Sequence, residues 1–105
     1  MAWLYLVVAG IFEIGFALGL KFSEGFTRLW PTLGMAVSGG ISFYLLSIAM
    51  KTLPVGTAYA VWTGIGAAGT AVLGILLLEE SGDVFRVLSI TLIVAGVIGL
   101  RLSSQ

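Results

Sequence analysis

One carboxyl in this chain stands where an apolar side chain is expected: Glu13 interrupts the run from Ala2 to Leu20, which closes at Lys21. A charged group at the centre of a membrane span costs roughly 2.5–3.5 kcal/mol on insertion scales, so an acid kept there is a functional candidate by default. Its neighbours one helical turn away are Ala9, Gly10, Phe16 and Ala17. That face joins an acid, an aromatic and small residues past which a helix or a ligand can approach. Low dielectric disfavours the charged form of an isolated carboxyl. No Lys, Arg or His lies within the other apolar runs to serve as its permanent partner. The carboxyl is then a place that a proton or a cation can occupy, and competition at one site is the simplest coupling between the two. The structural alternative is a protonated Glu13 hydrogen-bonded across helices for assembly. Glu13→Gln separates the readings: under the first it folds and fails to transport.

Other polar groups could shape such a pocket. Tyr59 and Trp62 are three residues apart and share a helical face that Gly66 and Gly69 or Thr70 continue. Aromatic faces attract cations and a tyrosine hydroxyl can hold a carboxylate or an N–H; the same pair also suits an interfacial belt. Ser38 and Ser42 are four apart, with Gly39 and Phe43 nearby, so that face either hydrogen-bonds Glu13 or simply packs closely. Gly64 and Gly66 offer a bend suited to alternating access, or close helix packing. Ser89, Gly96 and Gly99 are small residues in a branched aliphatic stretch, which fits a dimer interface.

The elements that carry these groups are set by composition. Of 105 residues 59% are hydrophobic and 10% charged, there are 15 glycines, no Cys and no His, and the net charge is +0; mean hydropathy is +1.14. Soluble domains carry about 25% charged residues, so this is a membrane protein. Without Cys or His, disulfides, thiolate chemistry, Ser-His triads and the usual zinc sets are excluded, and no metal or cofactor is expected. The neutral balance supplies no basic patch for nucleic acid.

A span of ~30 Å needs about 20 apolar residues. The charges fall in clusters that leave four such stretches, so an all-α membrane protein is expected: one domain, 1–105, with four transmembrane helices at about 2–20, 29–50, 55–78 and 84–102. The last uncharged run, Val87 to Leu100, is short unless Arg86 and Arg101 snorkel or the preceding turn is drawn inward. Ala2 to Leu20 lacks a basic region before it and carries an acid, so it reads as a retained helix rather than a signal peptide. Pro54 disfavours helix before itself and can open the third helix. Trp3, Tyr5 and Trp30 lie near helix ends, at headgroup depth.

Tight turns leave no room for an ATPase, and no Gly-Lys-Ser/Thr follows Gly64, Gly66 and Gly69, so a phosphate loop is excluded. Transport must use a gradient. Four helices enclose a cavity poorly, whereas larger transporters build one between two inverted repeats. Lys51 and Arg101 fall on one side and Lys21, Arg28 and Arg86 on the other, almost without positive-inside bias. An antiparallel, dual-topology homodimer is therefore expected. A cation channel with a Glu ring and an accessory membrane subunit remain as other classes; an enzyme lacks a base or nucleophile beside Glu13.

Early Glu13, the turn Leu20-Lys-Phe-Ser-Glu-Gly-Phe-Thr-Arg28, the run Leu53-Pro-Val-Gly-Thr-Ala-Tyr-Ala-Val-Trp-Thr-Gly-Ile-Gly66 and a Gly-bearing last helix together resemble the small multidrug resistance family over essentially the whole chain. The resemblance implies four-helix subunits in an antiparallel dimer, exchanging protons for small or hydrophobic cations across a bacterial inner membrane. Glu13 would be the shared proton and substrate site, Tyr59 and Trp62 would line it, and a bend at Gly64 to Gly66 would switch access. The run from Thr57 and Ser42 look most like the guanidinium-exporter branch. Phe16, where that branch usually has Trp, and Ser23-Glu-Gly-Phe26 lean toward the branch exporting quaternary ammonium compounds. Guanidinium is a planar N–H donor and needs acceptors such as Glu13 and Ser42, whereas a quaternary ammonium needs only charge, aromatic faces and room. The expected pocket for a guanidinyl cation comprises Gly10, Phe16, Ser42, Tyr59 and Trp62 around Glu13.

Overall fold

The computed structural model describes residues 1–104. Four α-helices follow one another: α1 (Ala2–Phe22), α2 (Leu29–Ala49), α3 (Val55–Leu77) and α4 (Val84–Ser104). Each is long and apolar enough to cross a bilayer. All four begin where expected; α2 and α3 end one residue earlier, and α1 and α4 run two residues further, to Phe22 and Ser104.

The fourth helix acquires its length at its start. Asp83 precedes it, and one carboxylate oxygen accepts the backbone N–H of Arg86 at 2.8 Å. This satisfies one of the donors that a helix start leaves open. The turn thus draws Val84, Phe85 and Arg86 into the helix, and its 21 residues extend roughly 31 Å at about 1.5 Å per residue, enough for the hydrocarbon core. The same Arg86 N–H, followed by the Ser81 hydroxyl, holds the Asp83 carboxyl below its ordinary range.

The first turn is closed by a serine. Ser23 is fully buried; its hydroxyl donates to the Leu20 carbonyl at 2.8 Å and accepts the Phe26 N–H at 3.2 Å. Glu24, Gly25 and Phe26 take positive φ there, a conformation that glycine adopts without steric cost. Between α2 and α3, Pro54 sits with φ −57° and ψ 142° as the cap of α3, and its carbonyl accepts the Ala58 N–H at 2.9 Å.

Helix α1 packs against α2 and α3, whereas the backbone of α4 packs along α3. The four helices form an open array, in keeping with the expectation that four helices enclose a cavity poorly. The Cα extents of the array are 42 × 34 × 16 Å, and the smallest is little more than one helix diameter of about 10–12 Å. The core is correspondingly small: Leu6, Ala9, Leu46, Ala49, Ala58, Val61 and Trp62, gathered where α1 begins, α2 ends and α3 begins. No described residue of α4 is buried. Arg101 places its guanidinium 4.9 Å from the Trp3 ring centre, fixing the end of α4 beside the start of α1 by a cation–π contact.

Candidate cation site

Helices α1 and α3 run in the same direction, and a cleft of about 520 Å³ lies along them. On α1 its wall includes Glu13, Ala17 and Lys21, four residues apart; on α3 it includes Trp62, Gly66, Thr70 and Gly74, again four apart, with Leu78 just past the helix end. Residues at that spacing stack on one helix face. Tyr59 and Thr63 border the same space, and Glu80 and Arg86 lie at the end beyond α3.

Glu13 rests across α3 at Gly66. A Cβ at Gly66 would come within 2.6 Å of Glu13 Cγ, so the seat exists because that residue has no side chain. Glu13 Oε1 is buried and has no hydrogen-bond partner among the described residues. An unpaired polar atom at this depth is costly and marks a place prepared for another group.

The aromatic wall is held from behind. The Trp62 Nε1–H donates to Ser42 Oγ at 2.8 Å, and the Ser42 hydroxyl donates to the Ala9 carbonyl at 2.7 Å. The Trp62 ring meets Tyr59 with centroids 5.4 Å apart and Phe43 at 5.6 Å. Three helices are thereby tied to one indole. Ser42 spends its single proton on Ala9, so in this arrangement it orders Trp62 rather than bonding Glu13.

Two residues expected at the pocket face other helices. Gly10 admits Ile65 of α3, whose Cγ2 would lie 2.5 Å from a Cβ there. Phe16 lies over Gly39 of α2, with Cδ1 2.7 Å from a Cβ built at that glycine. Both belong to helix packing around the site. Gly64 likewise receives Val97 of α4, and α3 passes unbroken through Gly64 and Gly66. On α4, Gly96 and Gly99 have open space around them, and the exposed Ser89 donates its hydroxyl to the Phe85 carbonyl at 2.8 Å.

The far end of the cleft was not singled out from sequence. Arg86 pairs with Glu80 there, and the Glu80 carboxylate sits over Gly74. The signal that could have found this wall is the spacing of four that links Glu13 to Lys21 and Trp62 through Gly74.

Four apolar spans and one unpaired carboxyl facing a cleft define a small multi-pass membrane protein. Residues 1–93 match the family described as Small Multidrug Resistance protein, and the chain belongs to that family. It is 59% identical over 104 residues, 99% of this chain and 100% of the relative, to a guanidinium exporter of Yersinia pseudotuberculosis. Over 105 residues, the whole of both chains, it is 58% identical to a guanidinium exporter of Salmonella typhimurium and 57% identical to one of Citrobacter freundii.

Proposed function

We propose that this chain exports guanidinium and small guanidinyl cations in exchange for protons, with both competing for Glu13. The observation that carries the reading is the buried, unpartnered Glu13 Oε1 facing a cleft lined by Trp62 and Tyr59. A carboxyl there holds either a proton or a cation, and returning protons displace the cation. Full-length similarity to relatives named guanidinium exporters supports the substrate class.

The proposal includes an antiparallel homodimer. An open array 16 Å thick leaves the cleft walled by one subunit, and an inverted copy would supply the second half as inverted repeats do in larger carriers. The exposed small residues Ser89, Gly96 and Gly99 of α4 would form the contact, and a bend at Gly64 and Gly66 would exchange the open side. Export of quaternary ammonium cations by the same mechanism is the second reading, favoured by the exposed aromatic Tyr59 beside Trp62.

Reconstituted protein in vesicles loaded with a pH indicator tests the function. Guanidinium added outside should drive protons out of the vesicles toward it, making the lumen more alkaline, and Glu13→Gln should abolish this. Proton movement driven only by a tetraalkylammonium would move the chain to the second reading; proton-independent, voltage-driven flux would make it a channel.

A further inference from the structure

We infer that Thr70 is a second ligand of the cation and determines selectivity for cations that donate N–H groups. The inference rests on Glu13 being the cation site and adds to it a residue on the opposite wall.

A hydroxyl on a transmembrane helix ordinarily returns to the carbonyl one turn back. Three side chains here do so: Thr32 donates to Arg28 at 2.6 Å, Thr91 to Val87 at 2.8 Å and Ser89 to Phe85 at 2.8 Å. Thr70 does not. Its Oγ1 is buried and has no partner among the described residues, although the Gly66 carbonyl lies one turn behind it. Only two side-chain atoms are buried and unpartnered among the described residues, Glu13 Oε1 and Thr70 Oγ1, and both residues wall the same cleft.

Their placement follows from helix geometry. Side chains on a helix lean toward its N-terminus, so Thr70 leans over the turn that contains Gly66. Gly66 is where Glu13 crosses, with its Cγ and Cβ 2.6 and 3.2 Å from a Cβ built there. A carboxylate on α1 and a hydroxyl on α3 therefore converge on one volume.

The pair differs chemically from a carboxylate alone. A hydroxyl has two acceptor lone pairs and one donor. It can donate to the Glu13 carboxylate while accepting from a cation, or accept from the cation directly. A planar guanidinium directs N–H groups in fixed directions and can reach both partners. A tetraalkylammonium has no N–H and gains only from charge and aromatic faces. Removal of the hydroxyl should therefore weaken the first cation and leave the second unchanged.

The test uses the full chain in proteoliposomes and measures KM and the maximal rate for guanidinium and for tetramethylammonium. Thr70→Val keeps the shape and removes the hydroxyl; Thr70→Ser keeps the hydroxyl. Support is a guanidinium KM raised about tenfold or more in Thr70→Val, restored in Thr70→Ser, with the tetramethylammonium KM or its absence of transport unaltered. An unchanged guanidinium KM in Thr70→Val overturns the assignment, as does equal weakening of both cations, which would mark a packing role. If the unmodified protein neither binds nor moves guanidinium, the reading of Glu13 as a guanidinium site fails, and the role of Thr70 fails with it.

Discussion

Trp62 and Ser42 are joined by an indole N–H donated to a serine oxygen at 2.8 Å, and that serine passes its own proton to the Ala9 carbonyl on α1. The chain of two hydrogen bonds crosses α3, α2 and α1 behind the cleft. It orients the ring that lines the proposed cation cleft. Ser42→Ala should leave the buried indole N–H unpaired, costing about 1–3 kcal/mol. A lower midpoint of denaturation together with a raised guanidinium KM is the expected outcome, read from unfolding by far-UV circular dichroism and from initial rates.

Gly66 gives a sharper separation of packing from function. Gly66→Ala places a methyl group within 2.6 Å of Glu13 Cγ, which must shift, at a cost of about 1–3 kcal/mol for overpacking. Gly39→Ala creates a similar clash with the Phe16 ring, 2.7 Å away, on the side away from the cleft. The two variants should lose comparable stability, while only Gly66→Ala raises the guanidinium KM steeply, by about tenfold or more. Parallel melting curves and transport rates decide this.

The start of α4 should be pH-dependent. The Arg86 backbone N–H, then the Ser81 hydroxyl, hold the Asp83 carboxyl below its ordinary range. A carboxyl lowered in the folded state contributes stability above its unfolded value, about 3.9. That contribution is lost as pH falls through the folded value. Amide exchange at Arg86 should therefore accelerate below about pH 4, relative to the centre of α4, after correction for intrinsic rates. Asp83→Asn, which can still cap, should keep protection at neutral pH and lose the acid response; Asp83→Ala should fray at both.

The exposed α4 face is the proposed subunit contact. Gly96 and Gly99 have nothing within 4 Å of a built Cβ, so Gly96→Leu is tolerated by the subunit itself. It should nevertheless shift detergent-solubilised protein from dimer to monomer, measured by light scattering. Single cysteines introduced in the turn after α1 should label from both sides of the membrane if the chains insert in two orientations.

The four helices are legible because charge, Glu13 apart, is confined to the turns and the ends of the helices. Glu13 itself stands out for the same reason, since an acid in an apolar run needs no partner to be noticed. The partners of Ser42 were not legible: spacing places it on the face with Ser38, but which carbonyl receives its proton depends on how closely α1 approaches α2. Gly10 and Phe16 share the Glu13 face by helical spacing, yet that face is wide enough to serve both neighbouring helices. Ile65 takes Gly10 and Gly39 takes Phe16, leaving Glu13 to the cleft. The start of α4 at 84 was legible, whereas the Asp83 oxygen that caps it was not, because capping depends on how the turn before it folds.

The central claim is that a proton and a cation exclude one another at Glu13. Calorimetric titration of guanidinium into the solubilised protein, over a pH series and in buffers of different ionisation enthalpy, measures this directly. The account predicts that binding weakens as pH falls, that protons are released as the cation binds, and that Glu13→Gln abolishes cation binding. Guanidinium affinity independent of pH, or binding by Glu13→Gln as tight as by the unmodified protein, would contradict it.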